Sequence, residues 1–131
     1  MHKSVSINKG KLYDRILTKM IRRISSGSIM LLNNDGLKIA EKTCGLTDSD
    51  CILGSANSLL SAGDRALSEL RQDRTQFINQ IFESENFFLL VGQVNSDISY
   101  AILSSKVDKI TLRILRLMAQ KLKNQVKQID T

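Results

Sequence analysis

Two stretches of this chain, Phe87-Phe88-Leu89-Leu90-Val91 and Tyr100-Ala101-Ile102-Leu103, are apolar at every position. A strand exposed on one face alternates polar and apolar residues, so unbroken runs predict strands that are dry on both faces. Each face of their sheet then needs cover. The rest of the chain predicts three further strands, over 28–32, 37–41 and 75–83, and extends the two apolar runs to 86–94 and 98–104. The first two strands turn back on each other at Asn33-Asn34-Asp35-Gly36, a strong hairpin signal. The last three are separated by only two or three residues, which makes them an antiparallel meander.

Helical periodicity supplies the cover. In residues 7–24, Tyr13, Ile16, Leu17, Met20, Ile21 and Ile24 fall on one side, with Lys11, Arg15, Lys19 and Arg22 opposite. A central helix over 50–72 follows a polar connection (43–49) in which Asp48, Ser49 or Asp50 can cap it. Its stripe Ile52, Ala56, Leu59, Leu60, Gly63, Leu67 and Leu70 faces the sheet. A last helix places Val107, Ile110, Ile114, Leu117, Met118 and Leu122 inward and Lys109, Arg113, Arg116, Lys123 and Lys127 outward. With three helices and two faces, the economical arrangement is an α+β three-layer sandwich. A five-stranded antiparallel sheet has the central helix on one face and the two terminal helices on the other. At 131 residues with 42% hydrophobic content, the chain is expected to form a single domain over 1–131.

Charge follows the same division. The net charge is +6, but residues 1–26 and 106–127 hold 14 of the 19 basic residues and only 2 of the 13 acids, while 27–105 is net −5. If the terminal helices share a side, the molecule has one strongly basic face that can meet an acidic protein or anionic lipid head groups. Nucleic acid is disfavoured, because no aromatic residue lies among these charges to stack on bases.

The outer surface of the central helix is unusual for a solvated one. Gly54, Ser58, Ser61, Arg65 and Ser68 occupy it, flanked by Ser55, Ala62 and Ala66, where Glu and Lys are the usual residues. Interior glycines cost about 1 kcal/mol each relative to alanine, so small side chains here point to close approach by a partner. The strand after it carries Phe77, Ile78, Ile81 and Phe82, apolar on both faces. At a sheet edge such a strand invites pairing with its own copy in a second chain.

Catalytic signatures are missing. His2 is the only histidine, neither Cys44 nor Cys51 has a sequence-near base, and the Gly-x-x-x-x-Gly-Lys-Ser/Thr loop of a nucleotide-binding GTPase is lacking. The two cysteines, with six residues between them, match neither a zinc spacing nor a disulfide framework and are expected to be reduced thiols. No export signal, 18-residue apolar run or lipidation motif is evident, so the expected location is the cytoplasm. No cofactor is expected.

The segment Ser28-Ile29-Met30-Leu31-Leu32-Asn33-Asn34-Asp35-Gly36-Leu37-Lys38-Ile39-Ala40, the small-residue helix after it and the strand pair around 87–103 together resemble the roadblock (dynein light-chain) superfamily. The likeness spans about residues 12–126, with stand-alone prokaryotic domains of the mutual gliding protein B type most similar in form. It implies a roadblock-like (profilin-like) fold and a homodimer joined through the central helix and the following strand, with Ser55, Leu59, Ala62, Ala66, Phe77, Ile78, Ile81 and Phe82 at the interface. It also implies a partner. Such domains bind a small Ras-like GTPase and speed hydrolysis by remodelling the GTPase's own catalytic groups; here Gly54, Ser58, Ser61, Arg65 and Ser68 would form the docking surface. Other branches act as non-catalytic scaffolds, which is the alternative.

Overall fold

Backbone pairing joins five strands into one antiparallel sheet of order β2-β1-β5-β4-β3. The computed structural model describes residues 2–45, 48–70, 79–106 and 111–130. The elements are α1 (His2–Ile21), β1 (Gly27–Asn33), β2 (Lys38–Cys44), α2 (Ser49–Leu70), β3 (Gln80–Glu83), β4 (Phe87–Gln93), β5 (Ile98–Ser105) and α3 (Leu112–Asp130). Strands β1, β5 and β4 are interior. Their registers, Leu31 opposite Tyr100 and Val91 opposite Ala101, send alternate residues to opposite faces.

One face collects Ile29, Leu31, Leu90, Tyr100 and Ile102 against Tyr13, Leu17 and Met20 of α1 and Leu115, Met118, Leu122 and Val126 of α3. The other collects Met30, Leu32, Leu89, Val91 and Ala101 against Ile52 and Ala56 of α2. The unbroken apolar runs are thus explained, since every residue in them except Phe87 has a layer to enter. The architecture is the three-layer sandwich expected, with α2 alone on one face.

Geometry requires glycine at Gly27 and at Gly36. A side chain on Gly27 would run into the carbonyl oxygen of Leu103 on the neighbouring strand. Gly36 has φ of +82°, which closes the hairpin at low cost only without a Cβ. In that turn the Asn33 side-chain oxygen accepts from the amides of Asp35 (2.9 Å) and Leu37 (3.0 Å), and Asn57 of α2 donates to the Gly36 carbonyl at 3.0 Å. The hairpin is therefore tied to the central helix.

Several boundaries differ from expectation. Strand β2 extends through Cys44, because pairing continues from Met30–Glu41 to Gly27–Cys44; the connection begins later than 43. Helix α1 reaches back to His2 and ends at Ile21. Ile24 lies beyond it yet is buried, held by its amide donating to the Ile21 carbonyl at 3.0 Å. Residues 75–78 of the expected third strand, including Phe77 and Ile78, lie outside the described residues, as do Val107, Lys109 and Ile110. In α3 the inward face is shifted: Leu115 is fully buried, while Ile114 and Leu117 are 38% and 63% exposed. Leu70 is also exposed, because the last turn of α2 has passed beyond the sheet-side cluster.

Candidate functional site: the outer face of the central helix

Helix α2 starts from Asp48, whose Oδ1 accepts from the amides of Asp50 (3.0 Å) and Cys51 (3.2 Å). This satisfies two of the free donors at the helix start. Of the three candidate caps, Asp48 takes the role. Ile52, Ala56 and Gly63 are buried, and Leu53, Leu59, Leu60 and Leu67 are half-buried beside them. That fixes the rotation of the helix, and the opposite side faces out. Gly54, Ser58, Ser61, Arg65 and Ser68 are all exposed, as are Ser55, Ala62 and Ala66. A Cβ placed on Gly54 would meet no atom within 4 Å. Among the described residues nothing accounts for a glycine there.

Along this face lie two depressions. A shallow one of about 410 Å³ is lined by Asn57, Ser58, Ser61, Ala62 and Arg65. A larger groove of about 680 Å³ runs between α2 and the β3 edge. Its helix side is Cys51, Gly54, Ser55, Ser58 and Leu59; its sheet side is Phe82, Phe87 and Leu89. Phe82 sits directly opposite Leu89 in the β3–β4 ladder, and Phe87 is two residues from Leu89 on the same face. Phe82 is 52% and Phe87 42% exposed. Exposed aromatic rings at the rim of a groove are the kind of surface that partners cover.

Among the described residues strand β3 forms one border of the sheet, pairing with β4 alone. Its far end is fastened by Glu83, which receives Lys106 Nζ at 2.5 Å, while the same ammonium lies 4.9 Å from the Phe88 ring centre. Ile81 turns to the opposite side, half-buried against the α1–α3 core. So of the residues named for a second chain, Phe82 and the small residues of α2 line or flank the groove, whereas Ile81 packs inward. Phe87 and Cys51 were missed from the sequence; their signal is Phe87's same-face spacing to Leu89 and Cys51's position one turn before Ser55.

The groove's one reactive side chain is subdued. Cys51 Sγ donates to Asp48 Oδ2 at 3.3 Å, and this hydrogen bond, then the carboxylate's charge, pushes the thiol up from its ordinary range. The Cys51 amide and thiol in turn hold the Asp48 carboxyl below its usual range. The other cysteine, Cys44, is half-buried and donates to the Ile24 carbonyl. Neither is in a disulfide. Among the described residues no three His, Cys, Asp or Glu side chains are grouped to hold a metal, and no helix is long and apolar enough to cross a membrane. On the opposite layer, Arg113, Arg116 and Lys127 are exposed and Lys123 half-buried.

The chain is thus a three-layer sandwich in which the outer face of α2 is exposed. No family model and no curated protein matches the sequence. Solved structures do. MglB of Myxococcus xanthus superposes with a TM-score of 0.77 at 14% identity, over 92% of this chain and 88% of that one. An MglB with a tetrameric arrangement gives 0.78 at 14% identity, over 92% and 89%. A Roadblock/LC7 domain from Streptomyces avermitilis gives 0.70 at 20% identity, over 89% and 93%. The fold is therefore the one shared by MglB and Roadblock/LC7 domains.

Proposed function

We propose that this protein is a homodimeric, cytoplasmic regulator of a small Ras-like GTPase, acting by binding through its central helix. The observation that carries the reading is the helix face itself: small side chains, a glycine in open space and an apolar groove ending at the edge strand β3. A second copy of the chain laid along β3 and α2 covers Phe82 and Phe87. The paired helices then offer Ser58, Ser61, Arg65 and Ser68 as one platform. The shared fold with MglB, including a structure in a tetrameric arrangement, supports self-association.

Arg65 is the only basic side chain within α2. A catalytic arginine inserted into a GTPase is worth about 10³–10⁵ in rate. Remodelling of the GTPase's own groups needs no such residue. Hydrolysis of GTP by each Ras-like GTPase of the same genome, measured with and without this protein and with Arg65→Ala, tests the reading. One GTPase is bound in its GTP state and accelerated, and Arg65→Ala retains most of the acceleration. Firm binding with unchanged hydrolysis assigns the scaffold role, and binding to none overturns the proposal.

A further inference from the structure

The layer opposite α2 carries a second surface that the GTPase reading leaves unused. Helices α1 and α3 lie side by side, and the seam between them is open. One stretch of about 210 Å³ has Ile16, Met20 and Met118 on its walls and continues past Ile16 and Lys19 into another of about 480 Å³ near Ile129. Lining this seam, Leu12 is 38% and Leu117 63% exposed, and Ile114, one helical turn before Leu117, is 38% exposed. Three aliphatic side chains are thus held out in water on a layer whose inward face is already well filled.

Cations surround them. Arg15 and Lys19 of α1, Arg23 just beyond it, and Arg113, Arg116 and Lys121 of α3 are exposed and make no ion pair among the described residues. Asp14, the one acid of α1, is engaged by Lys42 at 2.8 Å; α3 has no acid before its last residue, Asp130. Aliphatic side chains protruding between unpaired cations are what interfacial surfaces use, with the apolar groups entering the head-group boundary and the cations staying at the phosphates.

We propose that the α1–α3 face docks on an anionic lipid bilayer, with Leu117, Ile114 and Leu12 inserted. Two features favour a bilayer over other polyanions. The cations spread across both helices, whereas an acidic helix lying in the seam would reach Arg15, Lys19, Arg23 and Lys121 and leave Arg113 and Arg116 outside. Nucleic acid would give the exposed aliphatic groups no apolar medium, and Tyr13, the only aromatic on either helix, is buried and cannot stack on a base. Docking through this layer leaves α2, on the far side of the sheet, facing away from the lipid. The proposal does not rest on the GTPase reading, and vesicle binding is measured without any GTPase.

The full chain has no tryptophan, so Leu117→Trp is a single emission reporter on a position that the core does not use. With phosphatidylcholine vesicles containing phosphatidylglycerol, the protein co-sediments and the emission moves to shorter wavelength; with phosphatidylcholine alone it does neither. Raising ionic strength from about 0.1 M to about 1 M shortens the screening length from about 10 Å to about 3 Å and releases the protein. Arg15→Glu/Lys19→Glu/Arg116→Glu lowers vesicle affinity by about a hundredfold or more, and Leu117→Ser alone weakens it severalfold without changing the melting curve. Equal binding to neutral vesicles, indifference to salt, unmoved emission, or displacement from vesicles by duplex DNA or polyglutamate at equal charge overturns the proposal.

Discussion

Cys51 reports on the groove it lines. Its thiol is exposed but donates to Asp48, and because the pKa is raised, less thiolate is present at any neutral pH than in a free cysteine. Alkylation of Cys51 is therefore slow near neutrality and speeds up as pH rises. Asp48→Asn removes the carboxylate's charge and increases the rate, which mass spectrometry of the labelled peptide measures. Unchanged labelling in that variant would contradict the hydrogen bond. At the other extreme of exposure, Tyr100 is 2% exposed, and burial pushes its phenol up from 10.0 to about 12. The sign follows directly. Between those values the unfolded chain releases a proton that the folded one keeps, so unfolding becomes easier as pH rises. Tyr100 contributes no pH dependence below about pH 10, and up to about 3 kcal/mol of stability is lost between pH 10 and 12. Urea unfolding of the wild type and Tyr100→Phe at both pH values isolates this part: the variant loses less over that interval.

At the scale of elements, the register of α3 makes the sharpest demand. Leu115 is fully buried and Leu117 63% exposed, only two residues apart. Leu115→Ala costs about 2–5 kcal/mol, from lost burial and the cavity left behind, while Leu117→Ala changes stability by about 0.5 kcal/mol or less. Denaturant titration of the two variants separates them. The same helix shows where sequence reading stops. Leu112, Ile114, Leu115, Leu117 and Met118 crowd about two turns, so two adjacent faces both qualify as apolar. Downstream spacing decides between them: Leu115, Met118, Ala119, Leu122 and Val126 form the one continuous stripe, and all five are buried. Strands β1, β4 and β5 were legible because burial on both faces removes polar residues altogether. Strand β2 was read short, since Lys42 and Thr43 look like a loop, though backbone pairing to β1 carries on through Cys44. The small-residue face of α2 was legible from its composition. The groove was not, because nothing in the alternation of Phe87 and Leu89 says which corner of a doubly apolar sheet a single helix leaves uncovered.

For the molecule as a whole, layering separates two surfaces. The α1–α3 layer carries most of the exposed cations, the α2 layer the exposed small and aromatic residues with Arg65 among them, and the sheet keeps the two on opposite sides. In the proposed dimer, pairing two copies along β3 would prolong the sheet, place both α2 helices on one side and both basic layers on the other, and so double each surface without a new contact type. The edge residue at the centre of this arrangement is Phe82. It is 52% exposed in the single chain and makes little of its core, so Phe82→Glu disturbs association far more than folding. Sedimentation velocity of the wild type and Phe82→Glu, up to high micromolar concentration, is the most direct test. The prediction is a species of twice the 14.7 kDa chain mass for the wild type and of the single chain for the variant, with equal melting of the secondary structure at low concentration. A wild type that sediments as one chain throughout, or a variant that pairs as readily, would contradict it.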